Sequence, residues 1–220
     1  MKMNFPPIRK YIFSRKIMEA YDFTFEKMER AEKNQSGNYL RLLTLQDLPK
    51  LERLLEIQRK QETVFIPSFN IEEAAERLRR GELCVTWEEN GEIFGYNWYV
   101  RNKKFIQEIS AILILKPDEV YSYNGYVNPS QRGRNILPNI VRFGDIEFQK
   151  SGIRRKIALI MTWNDSVKKV AHKTGWNYIG NCSVSFFMGL RFFKNDCRDV
   201  TLVDEGGMLE FYRKLSERMK

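Results

Sequence analysis

The sequence predicts a mixed α/β fold, in which a mostly antiparallel central sheet carries helices on both faces. Two patterns lead to this prediction. Residues 83–127 are rich in β-branched and aromatic residues, and a hairpin signal separates two strand-like runs within them. In residues 135–193, helical and strand-like segments alternate. A chain of 220 residues also buries enough surface to hold its core without a metal or a disulfide.

The first elements are a short strand and two helices. Residues 39–43 form the predicted strand, and the leucines after Asp47 recur with helical spacing. A second helix is predicted over Ile71–Arg80, because Asn70 is a good cap at its start and Gly81 suits its end. Two β-rich runs follow, 83–87 and 93–99, and the Asn90-Gly91 pair between them is a strong hairpin signal.

The second half supplies the alternating elements. The pattern predicts strands over 111–115, 121–127 and 156–163, helices over 135–150 and 166–174, β segments within 176–193, and a short amphipathic helix over 209–219. Together they divide the chain into a basic leader (1–37), a core (38–193) and a C-terminal extension (194–220). The leader is expected to pack on the core, to form a dimer contact or to cover the pocket.

Charge and cysteine content limit the classes of function. The sequence holds 37 Lys+Arg against 28 Asp+Glu, a net charge of +9, which favours an anionic partner. The basic residues are dispersed, so a nucleic-acid partner is not favoured. Three cysteines without CxxC spacing and a single histidine argue against a metal site. With no signal-like or membrane-spanning run, we expect a cytoplasmic protein.

The residues that most clearly indicate a chemical function lie between Gly125 and Ile136. A strand ends at Pro129, a polar loop with Arg132, Gly133 and Arg134 follows, and a helix then begins. A loop that leads into a helix N-terminus presents unpaired backbone N–H groups and the positive end of the helix dipole, which together suit a pyrophosphate.

This stretch resembles the signature V-x-P-x-x-R/Q-x-x-G-x-G/A of the GNAT N-acetyltransferase superfamily. Val127, Pro129 and Arg132 match it, and Gly133 stands at a common glycine position. Asn135 and Leu137 occupy positions that the family most often fills with small residues. Leu137 is the larger departure, since its side chain is expected to crowd the pyrophosphate or the contact between helix and sheet.

A second motif supports the resemblance. The family continues with a strand, an asparagine, a helix and a Gly-aromatic pair. Here these features are Asn164, Val167, Ala171, Lys173, Gly175 and Trp176, at the same spacing. The order of elements agrees from about Tyr39 to Leu190, so the resemblance implies a GNAT-like fold with splayed central strands.

The resemblance implies acetyl-CoA, or another acyl-CoA, as cosubstrate. Its pantetheine arm would lie between segments 121–127 and 157–163, with the thioester near Tyr126 and with an oxyanion-binding N–H at Tyr126 or Val127. The pyrophosphate would lie on the amides of the loop and helix start. Asn164 would cap its helix and contact the cofactor. The implied cofactor-binding residues are Tyr126, Val127, Arg132, Gly133, Arg134, Asn135, Ile136, Leu137 and Asn164.

The proton chemistry is not identified by the motifs. Relatives often carry a glutamate five residues before the valine, where this chain has Ser122, and a general-acid tyrosine at the position of Ala171. Strand alternation predicts that Ser122, Asn124 and Tyr126 share a face and line the acceptor pocket. Glu119 is the nearest carboxylate on the strand, and Tyr123 is expected on the other face.

The predicted function is therefore transfer of an acyl group to a small polar primary amine, with Asn124, Tyr126 and Ser122 as candidate catalytic residues and no metal. The alternative is a non-catalytic basic binding module for nucleic acid or a protein partner. The net charge and the incomplete motif keep this alternative open.

Overall fold

The computed structural model describes residues 13–25, 39–61, 69–188 and 190–205. In chain order the strands are β1 (Phe13–Thr24), β2 (Leu40–Leu42), β3 (Leu83–Glu89), β4 (Glu92–Val100), β5 (Lys103–Ile106), β6 (Ala111–Ile114), β7 (Glu119–Val127), β8 (Arg155–Met161), β9 (Asn177–Phe187), β10 (Leu190–Asn195) and β11 (Thr201–Asp204). The helices are α1 (Leu48–Gln61), α2 (Ile71–Arg79), α3 (Ile136–Lys150) and α4 (Asp165–Lys173).

The described residues group into two compact units. The first unit contains residues 23–101 and 117–157, and the second contains those before 23, those from 102 to 116 and those from 158 onward. This division differs from the predicted order of leader, core and extension. The predicted helix over 209–219 lies outside the described residues.

The sheet of the first unit has the strand order β8-β7-β4-β3-β2. Strands β2, β3, β4 and β7 pair antiparallel in succession, whereas β7 and β8 run parallel. The predicted hairpin is confirmed, because Asn90 and Gly91 both take positive φ values, 52° and 81°, at the turn between β3 and β4.

Helices cover both faces of this sheet, as predicted. Helices α1 and α2 bury one face in a cluster that we call the α1/α2 core, made of Leu43, Leu51, Leu54, Leu55, Phe69, Ala74, Cys84, Ile93, Tyr96, Trp98 and Tyr126. Helix α3 covers the opposite face in the α3 core, made of Phe25, Val85, Trp87, Tyr99, Val120, Ile136, Ile140, Phe148 and Ile153. Successive residues of β4 alternate between the two, with Trp98 in the first core and Tyr99 in the second.

The starts of α1 and α2 carry the capping residues that the sequence predicts. The Asn70 side chain accepts a hydrogen bond from the Glu73 N–H at 2.9 Å, so it caps α2. Asp47 lies in a 3-10 turn before α1, where it forms a capping box with Thr44 and an ion pair with Arg41 at 2.7 Å.

The second unit contains two sheets, with strand orders β10-β9-β1-β8 and β11-β6-β5; residues 155–157 of β8 belong to the first unit and residues 158–161 to the second. Strands β1, β5 and β11 were not predicted, and β1 and β11 lie in the segments set apart as leader and extension. Strand β1 carries Arg15, Lys16 and Glu19, and its register with β9 shifts between Ala20 and Tyr21. These charges and this bulge break the alternation that marks a strand in a sequence.

No helix in the described ranges is long and apolar enough to cross a membrane.

A buried ion pair joins α3 to the start of β8. Lys156 is 0% exposed and its ammonium contacts the carboxylate of Asp145, which is also buried. The rings of Phe23 and Phe25 lie 5.1 Å and 5.9 Å from the Lys156 ammonium. Burial lowers the pKa of Lys156 although Asp145 opposes the shift, and burial likewise raises the pKa of Asp145 against the effect of Lys156.

Replacing one member of this pair is expected to destabilise the fold far more than replacing both. Lys156→Met leaves the Asp145 carboxylate buried without its cation, which costs about 3–5 kcal/mol of unfolding free energy. The double variant Lys156→Met/Asp145→Leu should regain most of that loss, because no unpaired charge is left. Urea unfolding of the two single variants and the double variant measures these free energies. A loss of unfolding free energy below about 1 kcal/mol in either single variant would contradict the prediction.

Candidate functional site

The loop between β7 and α3 has an irregular, tightly turned backbone. Asn128 is buried and its side chain accepts hydrogen bonds from the Ser130 N–H at 3.1 Å and the Ser130 hydroxyl at 3.0 Å. A 3-10 turn over Pro129–Gln131 follows. Gly133 and Asn135 then take positive φ values of 85° and 57°. Only glycine, and less readily asparagine, adopts such angles at low cost, which explains both residue types here.

The start of α3 leaves main-chain donors available. The first backbone hydrogen bond of the helix runs from the Asn139 N–H to the Asn135 carbonyl at 3.1 Å, so the N–H groups of Ile136 and Leu137 precede the helical ladder. The Asn135 side chain makes no capping hydrogen bond. A Cβ built on Gly133 would meet no atom within 4 Å, so the loop backbone faces open space. This combination can hold an anionic group through main-chain N–H groups.

The two loop arginines are placed differently. The Arg132 Nε donates to the Val127 carbonyl at 3.3 Å, and its guanidinium lies 5.9 Å from the centre of the Tyr126 ring. Arg134 donates to the Gln131 side chain and to Glu89 at 2.6 Å. The pKa of Glu89 is lowered, first by the hydrogen bond from the Trp87 indole and then by Arg134. Part of the Arg134 charge is therefore already compensated.

Leu137 does not fill the open side of the loop. A Cβ on Gly125 would lie 3.1 Å from Leu137 Cδ1, so this side chain packs toward β7, where glycine leaves room for it. Ile136 is buried in the α3 core and lies against Gly95. Of the two places expected for its bulk, the Leu137 side chain therefore lies at the contact between helix and sheet.

Strand β7 contains a bulge at Asn124 and Gly125. Tyr126 is opposite Tyr96 and Tyr123 is opposite Trp98, so the single residue Asn97 faces two residues of β7. Asn124 takes a φ of 50° there. The extra residue shifts the alternation of side chains along the strand by one position.

This shift shows that the predicted shared face of Ser122, Asn124 and Tyr126 is wrong. The Ser122 hydroxyl accepts a hydrogen bond from the Asn97 amide at 2.9 Å, on the same side of the sheet as Val120 and α3. Tyr126 instead belongs to the α1/α2 core, and Tyr123 packs against that same core. Alternation from the sequence fails because it assumes an unbroken two-residue period.

Pairing between β7 and β8 is short. The registered pairs run from Glu119 opposite Arg155 to Tyr121 opposite Ile157. Strand β7 itself continues to Val127, whose partner on β4 is Gly95. The later part of β7 is thus paired in register with β4 alone, which is the splay that the resemblance implies.

The carboxylates near β7 come from two places. Glu119 is buried and accepts a hydrogen bond from Arg155 at 2.8 Å, which ties it into an ion pair at the start of the strand. Glu82, just before β3, is also buried, and its carboxylate accepts a hydrogen bond from the Tyr123 hydroxyl. Glu82 was not predicted, because 41 positions separate it from Tyr123. The one available signal was a charged residue directly before an apolar strand.

Asn164 lies in the second unit. Its side chain accepts hydrogen bonds from the Val167 N–H at 3.3 Å and the Ser166 hydroxyl at 3.0 Å, which confirms the predicted cap of α4. Ala171, at the family's tyrosine position, is buried with Tyr21 and Ile160. His172 is next to it near the helix end, 5.6 Å from the Tyr21 ring. A cofactor contact by Asn164 stays a prediction.

Across the described residues, no three histidine, cysteine, aspartate or glutamate side chains are grouped so that they could hold a metal ion.

Several solved structures resemble the chain, among them the following three. A functionally unknown conserved protein from Staphylococcus epidermidis ATCC 12228 is 12% identical, with a TM-score of 0.53 over 81% of this chain and 63% of that one. A putative GNAT-family acetyltransferase from Novosphingobium aromaticivorans DSM 12444 is 11% identical, with a TM-score of 0.52 over 89% and 68%. A GNAT-family acetyltransferase from Brucella melitensis, in complex with acetyl-CoA, is 12% identical, with a TM-score of 0.50 over 78% and 97%.

This chain thus spans slightly less than two thirds of the Staphylococcus epidermidis protein. Comparison of the sequence with protein-family models and with curated proteins gave no match. Identities of 11% to 12% establish architecture rather than activity. On that basis, and as the two motifs predicted, we conclude that the chain has the fold of the GNAT acetyltransferase superfamily.

Proposed function

We propose that the protein is an acyl-CoA-dependent N-acyltransferase that acts on a small polar primary amine, with acetyl-CoA as the preferred cosubstrate. The observation that carries this proposal is the loop before α3, where Gly133 faces open space and the helix start lacks a side-chain cap. The acetyl-CoA complex of the Brucella melitensis protein, which has the same fold, supports it.

The residues present fit a diphosphate. A Cβ at Gly133 would stand on the open side of the loop, so glycine allows a phosphate to approach the main chain. The N–H groups of Ile136 and Leu137 supply donors at the positive end of the helix dipole. Arg132 adds a cation, and Arg134 adds a second when it exchanges Glu89 for the ligand.

When bound, acetyl-CoA supplies an acyl group activated as a thioester. The pantetheine arm would pair with the backbone of β7 beyond Tyr121, where registered pairing with β8 ends. The bulge at Asn124 sets the direction of the main chain here, so that an N–H near Tyr126 or Val127 would bind the developing oxyanion. In this proposal Asn124 acts through its backbone conformation.

The alternative of a basic binding module is distinguished by ligand binding. We expect acetyl-CoA at 100 times its dissociation constant to stabilise the protein by about 2.7 kcal/mol in thermal unfolding. Release of CoA thiol should then be observed with at least one of four probe amines: glucosamine, alanine, spermidine and a peptide with a free N-terminus. A protein that shows no stabilisation by acetyl-, succinyl- or longer acyl-CoA, yet binds a DNA duplex with steep salt dependence, would instead support the binding module.

A side chain at Gly133 should weaken acetyl-CoA binding specifically. Gly133→Val is expected to raise the dissociation constant at least tenfold, about 1.4 kcal/mol, because the side chain blocks the approach to the loop backbone. Gly152→Val is the matched control, since Gly152 also has a positive φ, 79°, and open space around it. Calorimetry measures the affinities and urea unfolding the stabilities. If Gly133→Val and Gly152→Val lose similar amounts of stability and also similar amounts of acetyl-CoA affinity, then Gly133 is only a turn residue.

The role of Asn124 is separable by two substitutions. Asn124→Gly keeps access to positive φ and should retain turnover within about threefold, while Asn124→Ala disfavours that conformation and should lower turnover about tenfold or more. Acetyl-CoA affinity should change little in either. If both variants lose turnover equally, the amide side chain rather than the backbone is required.

A further inference from the structure

Glu82 and Tyr123 form a polar contact on the α1/α2 side of the sheet. Glu82 is only 6% exposed, and its Oε2 accepts a hydrogen bond from the Tyr123 hydroxyl. Its other oxygen lies 3.3 Å from Arg80 Nη2. A buried carboxylate that keeps a donor on each oxygen is held in one orientation.

Tyr123 places this contact beside the bulge. It is the residue before Asn124 on β7, and it is half-buried, so part of its side chain is accessible. Its ring stacks on Tyr121 with 5.5 Å between ring centroids, and the Arg77 guanidinium lies 5.0 Å from its ring. The stacking partner and the cation hold the phenol toward Glu82.

The charges around Glu82 come mainly from α2. Arg77 donates to Glu73 at 2.9 Å, and Arg80 is shared among Glu73, Glu76 and Glu82. Tyr123 contacts Glu82 from β7, and Tyr121 stacks on Tyr123. Glutamates thus partly neutralise the neighbouring arginines. Of these glutamates, Glu82 is the one that accepts a hydrogen bond from β7.

We propose that Glu82 is the final proton acceptor of the reaction and that Tyr123 passes the proton to it. This rests on the proposed function and supplies the base that the replacement of the family's glutamate by Ser122 had left unassigned. The amine nitrogen bonds to the acyl carbon, and the carbon–sulfur bond breaks with its electron pair on sulfur. The proton lost by nitrogen goes to the Tyr123 oxygen, while the Tyr123 hydroxyl proton moves to Glu82 Oε2. The resulting thiolate takes a proton from water, and the hydroxide that this leaves is neutralised by the proton that Glu82 releases, which restores the carboxylate.

The protonation behaviour of Tyr123 agrees with a relay. Burial raises the pKa of Tyr123 well above its ordinary value, Arg77 opposes this shift, and Glu82 adds to it. The phenol therefore stays protonated at neutral pH. It can give its proton to Glu82 only while it takes another proton from the amine.

The test compares Glu82→Gln and Tyr123→Phe with Glu76→Gln. Glu76 is the matched control because it also pairs with Arg80 but lies on the exposed side of α2. With the most reactive of the four probe amines, Glu82→Gln should lower kcat/KM about 100-fold and alter the fall of kcat/KM at acid pH. Tyr123→Phe should lower it at least tenfold, Glu82→Asp should restore part of the rate, and Glu76→Gln should stay within twofold.

Two further measurements separate a chemical role from a structural one. Acetyl-CoA affinity, measured by calorimetry, should stay within threefold in all variants. In protein labelled with ¹³C at tyrosine Cζ, the resonance that disappears in Tyr123→Phe should shift in Glu82→Gln and stay in place in Glu76→Gln.

A Glu82→Gln enzyme with the wild-type rate and pH profile would overturn the relay and leave the proposed function intact. Loss of acetyl-CoA affinity in parallel with the rate would also overturn it, since Glu82 would then be structural. A wild-type protein that binds no acyl-CoA, or acylates none of the four amines, would reject the proposed function and the relay together.

Discussion

One extra residue in β7 determines which side chains meet at the candidate site. Because Asn124 and Gly125 together oppose Asn97, the strand reverses its alternation between Tyr123 and Tyr126. Both tyrosines then lie on the α1/α2 side, where Tyr123 reaches Glu82, while Ser122 lies on the α3 side. The bulge depends on a positive φ at Asn124, a conformation that asparagine tolerates better than most residues.

The loop before α3 tolerates an incomplete motif because a larger side chain on the helix lies against a glycine on the facing strand. Leu137 occupies a position that the family most often fills with a small residue, and Gly125 on the facing strand provides the missing space. The backbone of the loop keeps its open side, because the bulk is directed into the contact between helix and sheet. Motif positions therefore have to be judged together with the residues that they pack against.

Net charge is a poor guide to where an anion would bind. Several of the basic residues in the first unit are paired with carboxylates, including Arg41 with Asp47, Arg134 with Glu89, Arg155 with Glu119 and the buried Lys156 with Asp145. What distinguishes the loop is its main chain, with N–H groups at a helix start and a glycine that exposes them. N–H dipoles that point at one place attract an anion there more strongly than basic residues that are spread out and already paired with carboxylates.

The order of predicted elements indicated the fold class, and the resemblance implied the cap at Asn164. Local patterns in the sequence were sufficient for the Asn90-Gly91 hairpin, the cap at Asn70 and the loop that leads into α3. Each of these depends on residues within a few positions of one another, so turn and capping chemistry reveals them. The sequence did not reveal β1, because its charges and its bulge hide the strand period. Nor did it reveal the faces of β7 or the contact between Glu82 and Tyr123. These were decided by pairing with β4 and by packing between distant segments, for which no local pattern exists.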